Sequence, residues 1–194
     1  HYYIKHGTID AFNTMLSPHL SEVDALHVLC SSAEFDQLKV RPEELSELDT
    51  LKKHTTVAIR TSTDDTAGKV SVLLQGYLNK SVVSSFTLLS DTNYVAQNAG
   101  RITRALFEIC LKRGWSSMAG HYLSLCKGID RRMLPTQSPL RQFNELTREI
   151  VEKIESAEAT PDRLIDMNSK EIGQLIHNQK MGGKVGKHRN FSIY

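Results

Sequence analysis

With 194 residues and 40% hydrophobic content, the chain can fill the core of one large domain or two small ones. It contains no apolar run approaching the ~20 residues of a membrane span, and His1-Tyr2-Tyr3-Ile4-Lys5 lacks the basic-then-apolar order of a secretory leader. The net charge of +2 conceals an alternation of Lys/Arg against Asp/Glu: 6 against 11 over residues 1–66, 10 against 3 over 67–144, 4 against 8 over 145–171, and 4 against none over 172–194. The two basic blocks read either as solvated surface or as seats for a polyanion. Cys30, Cys110 and Cys126 lie far apart and leave one unpaired under any pairing, which points to reduced thiols in an intracellular protein. With no initiator Met, the chain is expected to be a piece of a longer protein.

Nearly every segment reads as helix, and the five prolines all punctuate. Thr8 to Leu16 is a short amphipathic stretch stopped by Ser17-Pro18. Ser21, with Asp24 three residues on, resembles a capping box for a helix to about Ser31. Pro42 suits the first turn of a helix from Glu43 to Lys53, where Leu45, Leu48 and Leu51 repeat; its carboxylates Glu43, Glu44 and Glu47 read as a solvated face. Thr61 to Thr66 is a polar loop. Lys69 to Asn79 reads as a buried helix, and Val82 to Leu89 is ambiguous.

The longest signal runs from Ser90 to Arg113. Ser90 suits an N-cap, Asp91 the positive end of a helix dipole, and Lys112 and Arg113 the negative end. Val95, Ala99, Ile102, Leu106 and Cys110 form one apolar stripe, widened by Ala96, Thr103, Phe107 and Ile109. Tyr94, Gln97, Arg101, Arg104, Glu108 and Lys112 recur on the other side. Gly114 then suits a C′ position, and Ser116 or Ser117 opens a helix to Met133 with Met118, Tyr122, Cys126, Ile129 and Met133 inward.

Leu134 to Pro139, with two prolines, is the best domain boundary, dividing a bundle over 1–137 from a smaller module over 138–194. Beyond it come helices over Arg148–Ala157, Thr160–Met167 and, behind an Asn168/Glu171 capping box, through His177. A turn is expected at Gly182-Gly183, before a basic end. The predicted fold class is therefore all-α: a helical bundle followed by a small helix–loop–helix module.

Catalytic chemistry has little support. There is no GxxxxGK[ST] phosphate loop, since Gly183-Lys184 lacks both the upstream glycine and the following Ser/Thr. No CxxC, HExxH or acidic box suggests a metal, and His27 with Cys30 makes only two ligands. No catalytic or metal-ligating residue is assigned. Binding has more: Arg101 and Arg104 can grip phosphates, Gln97 and Asn98 can bond sugars or base edges, and Tyr94 offers a ring. Lys184, Lys187 and Arg189 add a basic end. The competing reading pairs Arg101 and Arg104 with carboxylates of neighbouring helices.

Several segments, in order along the whole chain, carry a resemblance: Y-Y-I-K-x-x-T-I near the start, A-E-F-D-Q-L-K-V-R-P-E-E (33–44), L-L-Q-G-Y-L (73–78), S-D-T-N-Y-V-A-Q-N-A-G-R-I-T-R-A-L-F-E-I (90–109), P-L-R-Q-F (139–143) and E-I-G-Q-L-I (171–176). The sequence resembles the Brl domain, or Sec sixty-three homology domain, which follows the motor cores of large Ski-two-like helicases. Within that group it is most similar to the branch working in activating signal cointegrator and ribosome quality control complexes. The resemblance implies a helical bundle, a helix–loop–helix and a β-sandwich, of which this chain holds the first two. It makes the helix at about 91–113 the ratchet helix, lying across single-stranded RNA or DNA that leaves the motor, with Tyr94 and Arg101 at strand-facing positions. A departure falls at Leu134, where close relatives usually carry Trp; Trp115 matches.

On this reading the chain is a non-catalytic auxiliary domain. ATP and magnesium belong to the parent motor. Its partners are the strand, the motor and winged-helix domains of the same chain, and subunits of a cointegrator or ribosome quality control complex, in the cytoplasm or nucleus with no membrane. The alternatives are a protein-interaction platform in a second helicase cassette, and the same domain in a membrane protein-translocation factor.

Overall fold

The computed structural model describes residues 3–134, 137–143 and 145–188. Among them there are only helices, short 3₁₀ turns and connecting segments, with no strand, so the all-α expectation holds. The chain divides into two compact units, His1–Pro135 and Thr136–Tyr194.

The first unit carries α1 (His6–Met15), α2 (Glu22–Cys30), α3 (Leu45–Lys52), α4 (Thr66–Leu78), α5 (Phe86–Lys112) and α6 (Ser116–Arg131). Each forms where the local signals agree. Ser21 Oγ accepts from the Asp24 amide at the head of α2, and Pro42 opens a 3₁₀ turn leading into α3. α4 is buried along almost its whole length, as its apolar run requires. α5 is the axis of the unit, packing against α6, α4 and α2. Val95, Ala99, Ile102, Leu106 and Cys110 are all fully buried there. Each large aliphatic side chain so removed from water contributes about 1.5–3 kcal/mol.

Two expectations about α5 are corrected. The helix begins four residues before Ser90, because Ser85 is the cap, its Oγ accepting from the Leu88 amide at 3.5 Å. Both serines carry the needed hydroxyl, and what selects Ser85 is Glu47 of α3, whose carboxylate accepts from the Ser84 and Ser85 amides. Asp91 is consequently no dipole partner. It lies in the second turn, buried, with Oδ2 2.7 Å from Lys69 Nζ. At the other end Gly114 takes φ +73°, and the Trp115 and Gly114 amides donate to the Cys110 and Leu111 carbonyls at 2.9 and 3.1 Å. That is a Schellman close, and it turns the chain into α6.

The carboxylates of residues 43–47 also differ from a solvated face. Glu44 is buried and accepts from Lys69 Nζ at 2.6 Å, from Thr87 Oγ1 at 3.1 Å, and from Arg41. Lys69, fully buried, additionally donates to the Lys39 carbonyl at 3.2 Å. Leu134 closes the core of this unit, whereas Met133 stays partly exposed.

The second unit carries a 3₁₀ turn (Pro139–Gln142), α7 (Arg148–Ser156), α8 (Pro161–Asp166), α9 (Ser169–Leu175) and α10 (Gln179–His188). Its core is Leu140, Leu146, Ile150, Val151, Ile154, Leu164, Ile172, Ile176 and Val185. The Asn168/Glu171 capping box is fully formed, the Asn168 side chain accepting at 2.9 and 3.0 Å while its amide donates to Glu171 at 2.7 Å. The turn expected at Gly182-Gly183 is absent, for both glycines lie inside α10. Gly182 serves packing: a Cβ there would overlap the Ser169 carbonyl oxygen and stand 2.7 Å from the Gly173 nitrogen. α9 and α10 therefore touch backbone to backbone, and the reversal between them falls at His177, φ +52°.

Candidate nucleic-acid interface

α5 is 27 residues long, and its apolar stripe faces the core, so everything on the opposite side is displayed along about 40 Å at ~1.5 Å per residue. Asn93, Gln97 and Arg104 are exposed on that side. Tyr94 sits at its edge, its ring packed against the core and its hydroxyl donating to the Glu34 carbonyl at 3.2 Å. Asn98 Nδ2 donates to the Tyr94 carbonyl at 2.9 Å, while its Oδ1 accepts from Arg101 Nη2 at 2.6 Å. Arg101 Nη1 donates to the carbonyl of Tyr3. Arg104 Nη2 lies 2.8 Å from both carboxylate oxygens of Asp130 on α6, with each side chain about half exposed.

The fold thus brings Tyr94, Gln97, Asn98, Arg101 and Arg104 onto one helix, and it occupies four of them with bonds inside the protein. Gln97 and Arg104 are the exposed members of the five. An exposed pair such as Arg104–Asp130 contributes about 0–1 kcal/mol, so an incoming phosphate can compete for that guanidinium. In the second unit, Lys184 and Lys187 are exposed on α10 together with Lys180, at helical spacing and with no acidic residue in that helix. Arg189 lies outside the described residues. His188 stacks on Phe143, with ring centroids 4.2 Å apart, and approaches Glu145 at 3.2 Å.

The buried triad of Glu44, Lys69 and Asp91 was not legible as a site, since its members are 25 and 22 residues apart. Its role is to fix α5. Burial alone would raise the Glu44 carboxyl, but hydrogen bonds from Lys69 and Arg41 outweigh it and hold the group below its ordinary value. Elsewhere, an apolar cleft of about 200 Å³ opens between α2, α4 and α6, lined by Ala25, Leu26, Leu78 and Leu125 with Glu22 and His121 beside them. Tyr122 in its wall donates to the Ala25 carbonyl at 3.2 Å, and burial pushes its hydroxyl above the usual phenol range. Among the described residues, no group of three or more His, Cys, Asp or Glu could hold a metal ion, and no helix is long and apolar enough to cross a membrane.

The described residues thus form a bundle built around one long helix with a polar face and, in the second unit, a set of short packed helices. The chain belongs to the Sec63 Brl domain family, which it matches over residues 1–185. It is 44% identical over 186 residues to activating signal cointegrator 1 complex subunit 3 of Bos taurus, covering 95% of this chain. It is 42% identical over 188 residues to the human U5 small nuclear ribonucleoprotein 200 kDa helicase, covering 97%. The chain spans 8% and 9% of the lengths of these relatives.

Proposed function

We propose that this chain is the non-catalytic auxiliary domain of an ATP-dependent Ski-two-like helicase, and that α5 guides single-stranded RNA or DNA past the motor. The observation that carries the reading is the family match over residues 1–185, which includes the whole of α5. The displayed side of that helix supports it, since Gln97 and Arg104 are exposed there and, among the described residues, Arg104 is held only by its exposed pair with Asp130. ATP and magnesium are then the business of motor domains elsewhere in the longer protein. The motor and winged-helix domains of that protein and the subunits of a cointegrator or ribosome quality control complex are its partners, inside the cell.

The test is binding of a labelled single-stranded oligonucleotide as a function of salt. Each phosphate neutralised on a single strand adds about −0.7 to the log–log slope. Replacing Arg101 and Arg104 together with Gln keeps helix propensity and removes two charges, so the slope should flatten by about 1.4. A lower melting temperature with an unaltered slope would mean that these arginines only hold the bundle together.

The bonds from Arg101 to Tyr3 and Asn98, and from Arg104 to Asp130, favour a second reading. In it α5 is a protein-docking platform of a second helicase cassette. Wild-type protein that binds no oligonucleotide at low salt would select that reading.

A further inference from the structure

The head of α5 carries an anomaly that the polar face does not account for. Phe86 is 84% exposed, Val82 just before the helix is 86% exposed, and Leu89 one turn on is 45% exposed. A single exposed apolar side chain is ordinary, whereas several grouped at one end of a helix mark a contact site. Phe86, Asn93, Gln97 and Arg104 follow one another at steps of 7, 4 and 7 residues, so they fall on one line of the helix surface. The apolar patch is therefore the continuation of the polar face, about 27 Å from Phe86 to Arg104 at ~1.5 Å per residue.

We infer that Phe86, flanked by Val82 and Leu89, is the base-stacking platform of the strand path along α5. The inference rests on the nucleic-acid reading of that face and names the residue that takes the bases. Tyr94, the aromatic residue nearest the arginines, is partly buried against the core and tied by its hydroxyl to the Glu34 carbonyl, whereas Phe86 is 84% exposed. The chemistry at this end is also selective. Glu47 accepts from the Ser84 and Ser85 amides, which sets a carboxylate beside the helix head, where it repels a phosphate. What remains is an apolar surface that suits the uncharged face of a base. Three side chains fall well short of the roughly 800 Å² per partner of a stable protein interface, while a single stacked base needs only one ring.

The experiment uses this chain and a fluorescein-labelled 20-nucleotide oligothymidylate, with affinity measured across a salt series for wild type, Phe86→Ala, Phe86→Trp and the Arg101→Gln/Arg104→Gln pair. Stacking is uncharged, so Phe86→Ala should weaken binding at least about fivefold at every salt concentration and leave the salt slope unchanged. Phe86→Trp should bind at least as tightly as wild type, and both variants should melt within about 2 °C of it, because the ring touches little of the core. Wild-type binding that Phe86→Ala does not alter overturns the inference while leaving the strand reading in place, and it assigns the patch to a protein contact. Wild type that binds no oligonucleotide overturns both.

Discussion

Lys69 Nζ lies 2.7 Å from Asp91 Oδ2, and the lysine side chain has no solvent exposure. The same ammonium is 2.6 Å from Glu44 Oε2, so one buried cation joins the approach to α3 to the second turn of α5 through α4. A charge so placed is costly unless paired on every side. Here each partner comes from a different segment, which makes the register of α5 conditional on all three.

Removing the cation should therefore be severe. Lys69→Met leaves two carboxylates facing each other with only Arg41 between them and solvent, and urea unfolding should show a loss of about 3–5 kcal/mol. Adding Glu44→Gln and Asp91→Asn to it should recover much of that loss, since the pair then no longer carries buried charge. A single mutant within about 1 kcal/mol of wild type would show that the triad does not anchor α5.

Acid should destabilise the fold in two stages of the same sign. His27 is held below its ordinary value of 6.5, chiefly by burial and then by Arg60, so the folded state prefers the neutral ring. That contribution is present above about pH 6.5 and is lost as pH falls through the folded value. Glu44 is held below its ordinary 4.5. Its contribution is intact above that value and disappears as pH falls further. Urea midpoints should drop slightly from about pH 7.5 to 5.5 and steeply towards about pH 3. Glu44→Gln should flatten the steep limb and His27→Gln the shallow one.

Adjacent glycines in α10 should respond in opposite directions. Gly182→Ala drives a methyl into the backbone of α9 and should cost about 1–3 kcal/mol or more. Gly183→Ala meets nothing within 4 Å and should stabilise the helix by about 0.5–1 kcal/mol. Thermal melting of both variants measures this, and equal shifts would refute the backbone contact.

The three thiols should be silent in the native state. Burial pushes Cys30 up to about 12 and Cys126 up to about 11, and raises Cys110 as well. The thiolate is the reacting species, so native protein should react with a thiol reagent only as fast as it opens, and all three cysteines should label together in urea. Rapid labelling of any one of them without denaturant would place that cysteine at the surface.

What the sequence by itself determined is local. The 3.6-residue recurrence of Val95, Ala99, Ile102, Leu106 and Cys110 predicted the buried stripe of α5, and all five are buried, because a helix carries its own period in its side chains. Asn168 with Glu171, and Gly114 after Arg113, were equally readable, since a capping box or a left-handed close is built from residues at most a few positions apart. What only the tertiary structure decided is every choice between locally equal options. Ser85 and Ser90 can both cap a helix, and the Glu47 carboxylate, 38 residues from Ser85, selects the first. Gly182-Gly183 can make a turn or let two helices touch, and the surface of α9 selects the second. Glu44 looks like a solvated carboxylate and Asp91 like a helix-dipole partner until the fold sets Lys69 between them, and Arg101 looks open until the Tyr3 carbonyl, 98 residues away, accepts from it. Hydrogen bonds and buried charges act over about 3 Å in space, and nothing in the one-dimensional spacing of residues records which distant group will be there.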